Sequence, residues 1–185
     1  MEKTVLVVVD VQNDFCKGGV LEYKYPAISN THLIAEKAKE TIEKGGKVIF
    51  TRDTHDDREY LNSLEGTNLP IPHCIKNTQG WEFASELKEI YDSCHTCEVR
   101  KETFGTTLVG DLIKDYQFLK KGFCNGEIQV CGYCTSFCVA SICTILRAQF
   151  PNTKITLLQD LCGDINEESH RAAIKVLRNI NIEIK

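Results

Sequence analysis

The sequence lacks any apolar run of the roughly eighteen residues that a membrane-spanning helix requires. The apolar segment 5–9 is too short for the core of a secretory signal peptide, and no small-residue cleavage site follows it. No basic block is present and the net charge is −4, which argues against nucleic acid as a partner. We therefore expect a cytoplasmic protein with neither a membrane nor a nucleic-acid partner, and the sequence is compatible with a homo-oligomer.

Internal repeats, low-complexity tracts and linkers are also missing from the sequence. A chain of 185 residues suits one domain and can bury a full core without disulfides or a structural metal. The hydrophobic fraction of 42% and the charged fraction of 26% are those of an ordinary globular protein, which supports a single domain over residues 1–185.

Cysteine, in contrast, is abundant, with ten residues. Nothing in the sequence signals secretion, so we expect free thiols rather than disulfides. The pairs Cys94/Cys97 and Cys131/Cys134 have the C-x-x-C spacing of zinc and redox sites, but no second pair follows at zinc-ribbon spacing. Small buried hydrophobic residues are the favoured interpretation. A cysteine-rich metal or redox protein is the alternative, which metal analysis and thiol titration would test.

Apolar, β-branched segments alternate with helical patterns along the chain. The strand candidates are residues 5–9, 47–51, 96–99, 128–132, 154–158 and 181–184. The helix candidates are residues 28–44, 82–91, 107–116, 136–149 and 166–179. This alternation predicts a three-layer α/β fold, with a mostly parallel open sheet, right-handed crossovers and helices on both faces. The long irregular stretch 54–80 is of a kind that is usually functional or disordered.

Polar or reactive residues follow four of these strands. They are Asp10 after the first strand, Asp53 and His55 after the second, Lys101 after the third, and the segment 132–138 after the fourth. In open α/β sheets the active site forms outside the carboxyl ends of the strands. The sequence therefore predicts one shared cleft at this edge of the sheet.

Cys138 is the thiol best placed to act as a nucleophile. The segment 130–139 leaves a strand and enters a helix, where unpaired backbone N–H groups and the positive end of the helix dipole favour a thiolate. The same N–H groups could stabilise a developing oxyanion. Taken alone, the segment is more typical of a buried structural cysteine.

A carboxylate and an ammonium group give Cys138 a chemical context. Asp10 and Lys101 each follow a strand, although a turn-capping aspartate and a solvated lysine are ordinary alternatives. Together the three groups make an acyl-transfer site, since the carboxylate can accept the thiol proton and the ammonium favours both anions. Spacing alone does not prove that they converge.

Three motifs make the sequence similar to a known family. They are Val-Asp-Val-Gln-Asn-Asp-Phe at 9–15, Lys101-x-x-Phe104, and Gly132-x-x-Thr135-x-x-Cys138. In this order they resemble the isochorismatase-like cysteine hydrolases, and within them the nicotinamidase/pyrazinamidase branch. One such motif is a weak signal, whereas three in the family's order are specific.

The resemblance implies a six-stranded parallel sheet in an isochorismatase-like domain, and a catalytic triad of Asp10, Lys101 and Cys138. It also implies a cis peptide bond between Tyr133 and Cys134, with the backbone N–H groups of Cys134 and Cys138 forming the oxyanion hole. The implied reaction is hydrolysis of a small carboxamide, nicotinamide to nicotinate and ammonia, through a thioester on Cys138.

A second group of residues has the character of metal ligands. Asp53 and His55 stand two apart at a strand exit, so both can face the same side of an extended segment, and His73 follows later. Loop capping by Asp53 and His55, with an exposed His73, is the alternative. Nicotinamidases carry an Asp-x-His and a Pro-His-Cys at these places, matched here by Asp53-x-His55 and Pro72-His73-Cys74, so the resemblance implies a metal site.

The fourth ligand is taken from the same resemblance. Some family members supply a glutamate from the loop before the last histidine, and Glu65, eight residues before His73, is the natural candidate. Glu59 is the alternative. A mixed carboxylate and imidazole site suits one divalent ion, Zn²⁺, Fe²⁺ or Mn²⁺, and the sequence does not choose among them.

Aromatic side chains near the motifs are candidates for the wall that holds a substrate ring. They are Phe15, Phe104 and Tyr133. Many nicotinamidases place an aromatic residue three positions before the last histidine, where this sequence has Pro70. The alternatives to nicotinamide are another small amide, a ureido compound or the vinyl ether of isochorismate. A catalytically silent binding module is disfavoured because all three triad residues are present.

Overall fold

The centre of the molecule is a six-stranded sheet in which every pairing is parallel. The computed structural model describes residues 3–26, 29–91, 95–115 and 126–185. The strands are β1 (Lys3–Val9), β2 (Lys47–Asp53), β3 (Thr96–Lys101), β4 (Gly126–Tyr133), β5 (Lys154–Gly163) and β6 (Glu183–Ile184). Their order across the sheet is β3-β2-β1-β4-β5-β6. The predicted α/β fold with six parallel strands is confirmed.

Helices cover this sheet. They are α1 (Thr31–Glu43), α2 (Leu64–Asn68), α3 (Lys88–Tyr91), α4 (Leu108–Asp115), α5 (Ala140–Gln149) and α6 (Glu167–Asn179). α1 packs with α3, whereas α5 packs with α4 and α6. Residues 5–9 of the central strand β1 are all fully buried, so both faces of that strand are covered, as its apolar sequence requires. Among the described residues, no helix has the length and apolar character needed to cross a membrane.

Helix boundaries differ from the sequence pattern where other contacts compete. The pattern over 82–91 predicts one helix, but α3 begins late, after a short 3₁₀ turn. The backbone of residues 82–84 is instead hydrogen-bonded to residues 11–13, which follow β1. The predicted helix 136–149 likewise opens with a π-helical turn, Thr135–Val139, before α5 begins.

The remaining predicted elements agree with the structure to within a few residues. The predicted helix start at Ile28 and helix end at Tyr116 lie outside the described residues. The terminal strand β6 is only two residues long. The stretch 54–80, predicted to be irregular, contains a 3₁₀ turn and the short helix α2, whose first turn is capped by the Ser63 hydroxyl.

The register of the strands brings their carboxyl ends to one edge of the sheet. Val9 pairs with Thr51 of β2 and with Gly132 of β4, and Asp53 pairs with Lys101 of β3. The residues at and after these strand ends therefore meet at one edge, where open α/β sheets place their ligand sites.

Gly132 allows β4 to lie against β1 at this edge. Its φ angle is +120°, and a Cβ atom there would lie 2.1 Å from the Val9 carbonyl oxygen. This backbone conformation alone costs other residues about 1–3 kcal/mol, and overlap with the backbone adds to that cost. We expect Gly132→Ala to lower the free energy of unfolding by at least about 3 kcal/mol, measured by urea denaturation.

Gly45, which follows α1, is a control that separates the cost of the backbone conformation from the cost of overlap with neighbouring atoms. Its φ angle is +78°, but no atom lies within 4 Å of the position that a Cβ atom would take. Gly45→Ala should therefore carry only the conformational cost, about 1 kcal/mol. Equal losses of stability in the two variants would contradict this account of Gly132.

Candidate active site and metal centre

Asp10 lies directly after β1 and is fully buried. Its φ angle is +50°, so the chain turns away from the strand direction at this residue. The backbone N–H of Asp10 donates to the Thr51 hydroxyl at 3.2 Å, and that hydroxyl donates to Asp10 Oδ1 at 2.6 Å. One carboxylate oxygen is thereby held in place, and the other, Oδ2, lies 2.7 Å from Lys101 Nζ.

Lys101, the last residue of β3, joins three groups. Its Nζ lies 2.7 Å from Asp10 Oδ2, 2.9 Å from Asp53 Oδ1 and 3.5 Å from Cys138 Sγ. Its side chain is almost fully buried. Although burial disfavours the ammonium, the neighbouring carboxylates and the sulfur together raise the pKa of Lys101 well above its ordinary value. Lys101 therefore stays positively charged between two buried carboxylates.

Cys138 lies buried in the π-helical turn that leads into α5. Burial raises the pKa of its thiol well above the ordinary value, the Lys101 ammonium opposes this, and the Asp10 carboxylate adds to it. The thiol is therefore protonated at neutral pH, and the Lys101 ammonium lies 3.5 Å from its sulfur. This corrects the expectation that the start of a helix favours the thiolate here, because burial outweighs that effect and a base must take the proton.

Asp10 has the properties of such a base. Burial raises the pKa of its carboxyl above the ordinary value, Lys101 lowers it, and the charge of Asp53 raises it again. A raised pKa makes the carboxylate a better proton acceptor. The structure thus brings the three predicted triad residues together in one buried group, in which Lys101 contacts both Asp10 and Cys138.

The turn that carries Cys138 begins at a cis peptide bond. This bond joins Tyr133 to Cys134, at the place that the family resemblance implies. The Cys134 carbonyl oxygen accepts the N–H groups of Phe137 and Val139 at 3.2 and 3.1 Å. Cys138 is therefore held by a backbone turn that is itself hydrogen-bonded on both sides of this residue.

Two side chains from the next part of the chain also hold this turn, and neither was predicted from the sequence. Asp164, directly after β5, accepts the backbone N–H of Ser136 at 2.8 Å and its hydroxyl at 2.9 Å. His170 of α6 lies with Nδ1 2.9 Å from the Thr135 hydroxyl. Asp164 lies directly after β5 in the structure, but six residues after the predicted end of this strand at 158, so the strand-exit rule does not select it, and His170 has no comparable signal in the sequence.

Four side chains of metal-ligand type converge beside the triad. Asp53 Oδ2 lies 3.0 Å from His55 Nε2 and 3.4 Å from His73 Nε2. Glu65 Oε1 lies 3.9 Å from His55 Nε2 and 3.7 Å from His73 Nε2. One ligand atom from each of the four residues lies within 4.8 Å of the others. Within the described ranges this is the one such group, and Glu59, the alternative fourth ligand, is not part of it.

The geometry and chemistry of this group fit a divalent cation. Ligand atoms held about 2.1 Å from one ion at tetrahedral angles lie roughly 3.4 Å apart, and the imidazole-to-carboxylate distances here run from 3.0 to 3.9 Å. His73 Nδ1 donates to the Ile71 carbonyl oxygen at 2.9 Å, which leaves Nε2 to bind an ion. Burial and the charge of Asp53 raise the pKa of Glu65, and a cation between these two carboxylates would relieve their repulsion.

Aromatic side chains lie around the site. Phe15 packs edge-on against His73, with ring centroids 5.5 Å apart. Phe104 packs with Phe137 at 5.9 Å, and the two rings are 40% and 42% exposed. Phe137 was not among the predicted wall residues, although its position directly before Cys138 could have indicated it.

Tyr133 requires a correction, because its side chain does not form part of such a wall. Its ring is fully buried and packs against Tyr23 at 4.4 Å, and its hydroxyl donates to Asn30 Oδ1 at 2.6 Å. Alternation along β4 directs this side chain into the core, so only its peptide bond lies at the site. Pro70 is exposed on the loop before His73.

A cavity of about 550 Å³ opens beside this group of residues. Its walls come from the end of β3 and from the segments that follow β2 and β3, and they include His55 and Lys101. The volume lies in the range of small-molecule binding sites in proteins. A small molecule in this cavity would contact one residue of the metal-ligand group, His55, and one residue of the predicted triad, Lys101.

The C-x-x-C pairs form no such site in the part of the chain that is described. Cys131 and Cys134 are buried free thiols, and burial raises the pKa of the Cys131 thiol well above its ordinary value. Neither belongs to a group of metal-ligand side chains among the described residues. Cys94 lies outside them. Cys131 and Cys134 therefore act as small core residues.

The chain matches known proteins over nearly its full length. The family model of the isochorismatase domain matches residues 4–184. The chain is 25% identical over 194 residues to a nicotinamidase/pyrazinamidase of Mycobacterium tuberculosis, an alignment that covers 97% of this chain and 96% of that protein.

Solved structures share the same fold. The nicotinamidase of Bacillus subtilis matches with a TM-score of 0.80 and 25% identity, covering 98% of each chain. A pyrazinamidase of Pyrococcus horikoshii in complex with zinc matches with a TM-score of 0.74 and 22% identity, covering 99% of this chain and 98% of that chain. The likeness extends over the whole sheet and its helices.

Proposed function

The chain belongs to the isochorismatase family, and on that premise we propose that it is a metal-dependent nicotinamidase, which hydrolyses nicotinamide to nicotinate and ammonia. The observation that carries the proposal is the contact of Lys101 with Asp10, with Cys138 and with the metal-ligand residue Asp53. This arrangement joins a nucleophile, a base and a substrate anchor in one cleft. Similarity to nicotinamidases over nearly the full chain supports the choice of substrate.

Acyl transfer begins with the proton of Cys138. Asp10 accepts it, because its pKa is raised and it shares the Lys101 ammonium with the sulfur, and the thiolate attacks the carboxamide carbon. The oxygen of the tetrahedral intermediate accepts hydrogen bonds from the backbone N–H groups of Cys134 and Cys138. Protonated Asp10 then gives its proton to the amide nitrogen, the C–N bond breaks, and ammonia leaves as the thioester forms.

Deacylation uses the same groups, but Asp10 now takes a proton from water and gives it to the sulfur. Asp10, again ionised, takes a proton from a water molecule that attacks the thioester carbon. The C–S bond then breaks, nicotinic acid leaves and loses its proton to the solvent as nicotinate, and the sulfur of Cys138 takes the water-derived proton from Asp10. Lys101 remains an ammonium throughout and holds Asp10 through their 2.7 Å contact.

Asp53, His55, Glu65 and His73 would hold one divalent ion, Zn²⁺, Fe²⁺ or Mn²⁺. Bound there, the ion supplies a Lewis acid to which the pyridine nitrogen of nicotinamide can coordinate, so that it anchors the substrate. These four side chains thereby determine where the ring lies, and the triad determines which bond breaks.

The pyridine ring also needs an apolar wall. Phe15, Phe104 and Phe137 lie around the site and offer aromatic surface for stacking. The two half-exposed rings of Phe104 and Phe137 could cover a bound ring from the solvent side, where Pro70 contributes no aromatic group. They would therefore favour a flat aromatic amide over an aliphatic one.

Assays of ammonia release from nicotinamide, pyrazinamide and a ureido compound test the proposal, with isochorismate followed separately through its own product. We expect the highest kcat/KM for nicotinamide. Chelation should lower kcat/KM by at least about tenfold, and added Zn²⁺, Fe²⁺ or Mn²⁺ should restore it. Most of the change should appear in KM, because chelation removes the anchor and leaves the nucleophile.

Two outcomes would contradict the proposal. A higher kcat/KM with the ureido compound or with isochorismate would overturn the choice of substrate. Nicotinamide hydrolysis that is unchanged in protein shown to be free of metal would overturn the metal dependence.

A further inference from the structure

Gln12 is a fully buried amide that no step of the proposed reaction uses. It stands two residues after Asp10 in the segment that follows β1. Its Nε2 donates to the carbonyl oxygens of Asp53 and Trp81, each at 2.9 Å, and its Oε1 accepts the Asp53 N–H at 2.8 Å. Both donors and the acceptor of the amide are therefore bonded within the protein.

The contact of Gln12 with Asp53 replaces backbone pairing at a place where β1 has already ended. β1 ends at Val9, which pairs with Thr51 of β2, so the last residues of β2 extend beyond their neighbour on this side. On the other side, Asp53 is paired with Lys101 of β3. The Gln12 side chain bonds the N–H and C=O groups of Asp53 that a longer β1 would have bonded.

This contact fixes the direction in which the Asp53 side chain leaves the backbone. The N–H and C=O of one residue belong to the two planar peptide units on either side of its Cα, so holding both fixes the Cα–Cβ bond. The two oxygens of the Asp53 carboxylate contact different groups. Oδ1 lies 2.9 Å from Lys101 Nζ, and Oδ2 lies 3.0 Å from His55 Nε2 and 3.4 Å from His73 Nε2.

The same segment holds the loop that carries His73. Asp14 Oδ2 accepts the N–H of Cys74 at 2.7 Å. Gly80 leaves room for this carboxylate, because a Cβ atom there would lie 2.2 Å from it. Gln12 and Asp14 therefore act on the two chain segments that bring metal-ligand side chains together.

We propose that Gln12 is a positioning residue for the metal centre. By holding the backbone of Asp53, it fixes the carboxylate that Lys101 and the two imidazoles share. The inference rests on the metal site of the proposed function, but it does not depend on which amide is the substrate.

The Zn²⁺ affinity of the metal-free protein, measured with no substrate present, tests this role. Gln12→Met keeps the length of the side chain and removes all three hydrogen bonds. We expect it to weaken Zn²⁺ binding about 10- to 100-fold in competition with a chromogenic chelator. Gln12→Glu keeps an acceptor for the Asp53 N–H and should weaken binding less. His73→Ala, which removes a metal-ligand side chain, should give the largest loss of Zn²⁺ affinity and serves as the reference.

Asn30 offers a matched control. It is buried, its Nδ2 donates to the carbonyl oxygens of Asp160 and Cys162 at 3.0 and 3.1 Å, and its Oδ1 accepts the Tyr133 hydroxyl at 2.6 Å. It thus makes the same number of hydrogen bonds as Gln12, but to β5 and β4. Asn30→Leu should lower stability as Gln12→Met does, and leave the Zn²⁺ affinity within about twofold of wild type.

Each outcome decides the proposal. If Gln12→Met binds Zn²⁺ as tightly as wild type, at a temperature at which circular dichroism shows both to be folded, the positioning role is wrong and the proposed function is unaffected. If Gln12→Met does not fold, Gln12→Glu is judged by the same criterion. Wild-type protein that binds none of Zn²⁺, Fe²⁺ and Mn²⁺ would overturn both the positioning role and the metal dependence of the proposed function.

Discussion

Replacement of Cys138 by alanine should abolish ammonia release from nicotinamide, with kcat lower by at least about 10⁴-fold. In the proposed reaction the sulfur forms the thioester, and without it Asp10 has no nucleophile to deprotonate. Steady-state ammonia release measures the loss. Intact-mass spectrometry of rapidly quenched samples adds a direct readout, because wild-type protein should carry a nicotinoyl group and the variant should not.

Cys143→Ala is the control for this variant. Cys143 is fully buried on α5, five residues after Cys138. Its replacement by alanine therefore also removes a buried thiol from this helical segment. Its kcat should stay within about twofold of wild type. Ammonia release by Cys138→Ala above about 1% of the wild-type rate would show that another group is the nucleophile.

Lys101→Met should destabilise the protein as well as inactivate it. Removing one partner of a buried ion pair costs about 3–5 kcal/mol, and here Asp10 and Asp53 both lose their cation. Without the ammonium, only the Thr51 hydrogen bond still opposes burial and the charge of Asp53, so the pKa of Asp10 rises further and its carboxyl holds a proton at higher pH. A protonated Asp10 cannot accept the thiol proton, so kcat at neutral pH should fall by roughly 10³-fold or more.

Urea denaturation of metal-free protein measures the change in the free energy of unfolding. Added Zn²⁺ should restore part of the loss, because a cation at the metal centre compensates the charge of Asp53. Arg100→Met is the control, since Arg100 precedes Lys101 but its side chain is 53% exposed, and it should change stability by less than about 0.5 kcal/mol. Similar losses in the two variants would contradict the role of Lys101 between buried carboxylates.

The strands and the residues at their ends could be predicted from the sequence because buried parallel strands are apolar along their length. Residues 5–9 have no polar side chain, so the position of Asp10 directly after them marks the edge of the sheet. Asp53 and Lys101 are selected by their positions after predicted strands, and the register then brings them together. Topology supplied the rest of their arrangement, because parallel strands end on one side.

Side chains that act through backbone groups could not be predicted in this way. Gln12 and Asp164 bond to main-chain groups, whose positions depend on the tertiary fold and leave no pattern in the neighbouring sequence. The direction of the Tyr133 ring is a related case, because alternation along a strand defines two faces without saying which one meets the cleft. The position of Glu65 depends likewise on how the loop before His73 folds.

The side chains that hold the turn carrying Cys138 have a consequence for any attempt to split the chain into two fragments. The side chains that react with or bind the proposed substrate all lie at or before Cys138, yet Asp164 and His170 hold the turn on which Cys138 sits. A fragment ending after α5 would contain every reacting atom and lack both of these supports. If the protein were cut at that point, the two fragments would need to reassociate before Cys138 could act as the proposed nucleophile. Recovery of activity on mixing the fragments would therefore measure how well the β5–α6 segment binds and holds the turn.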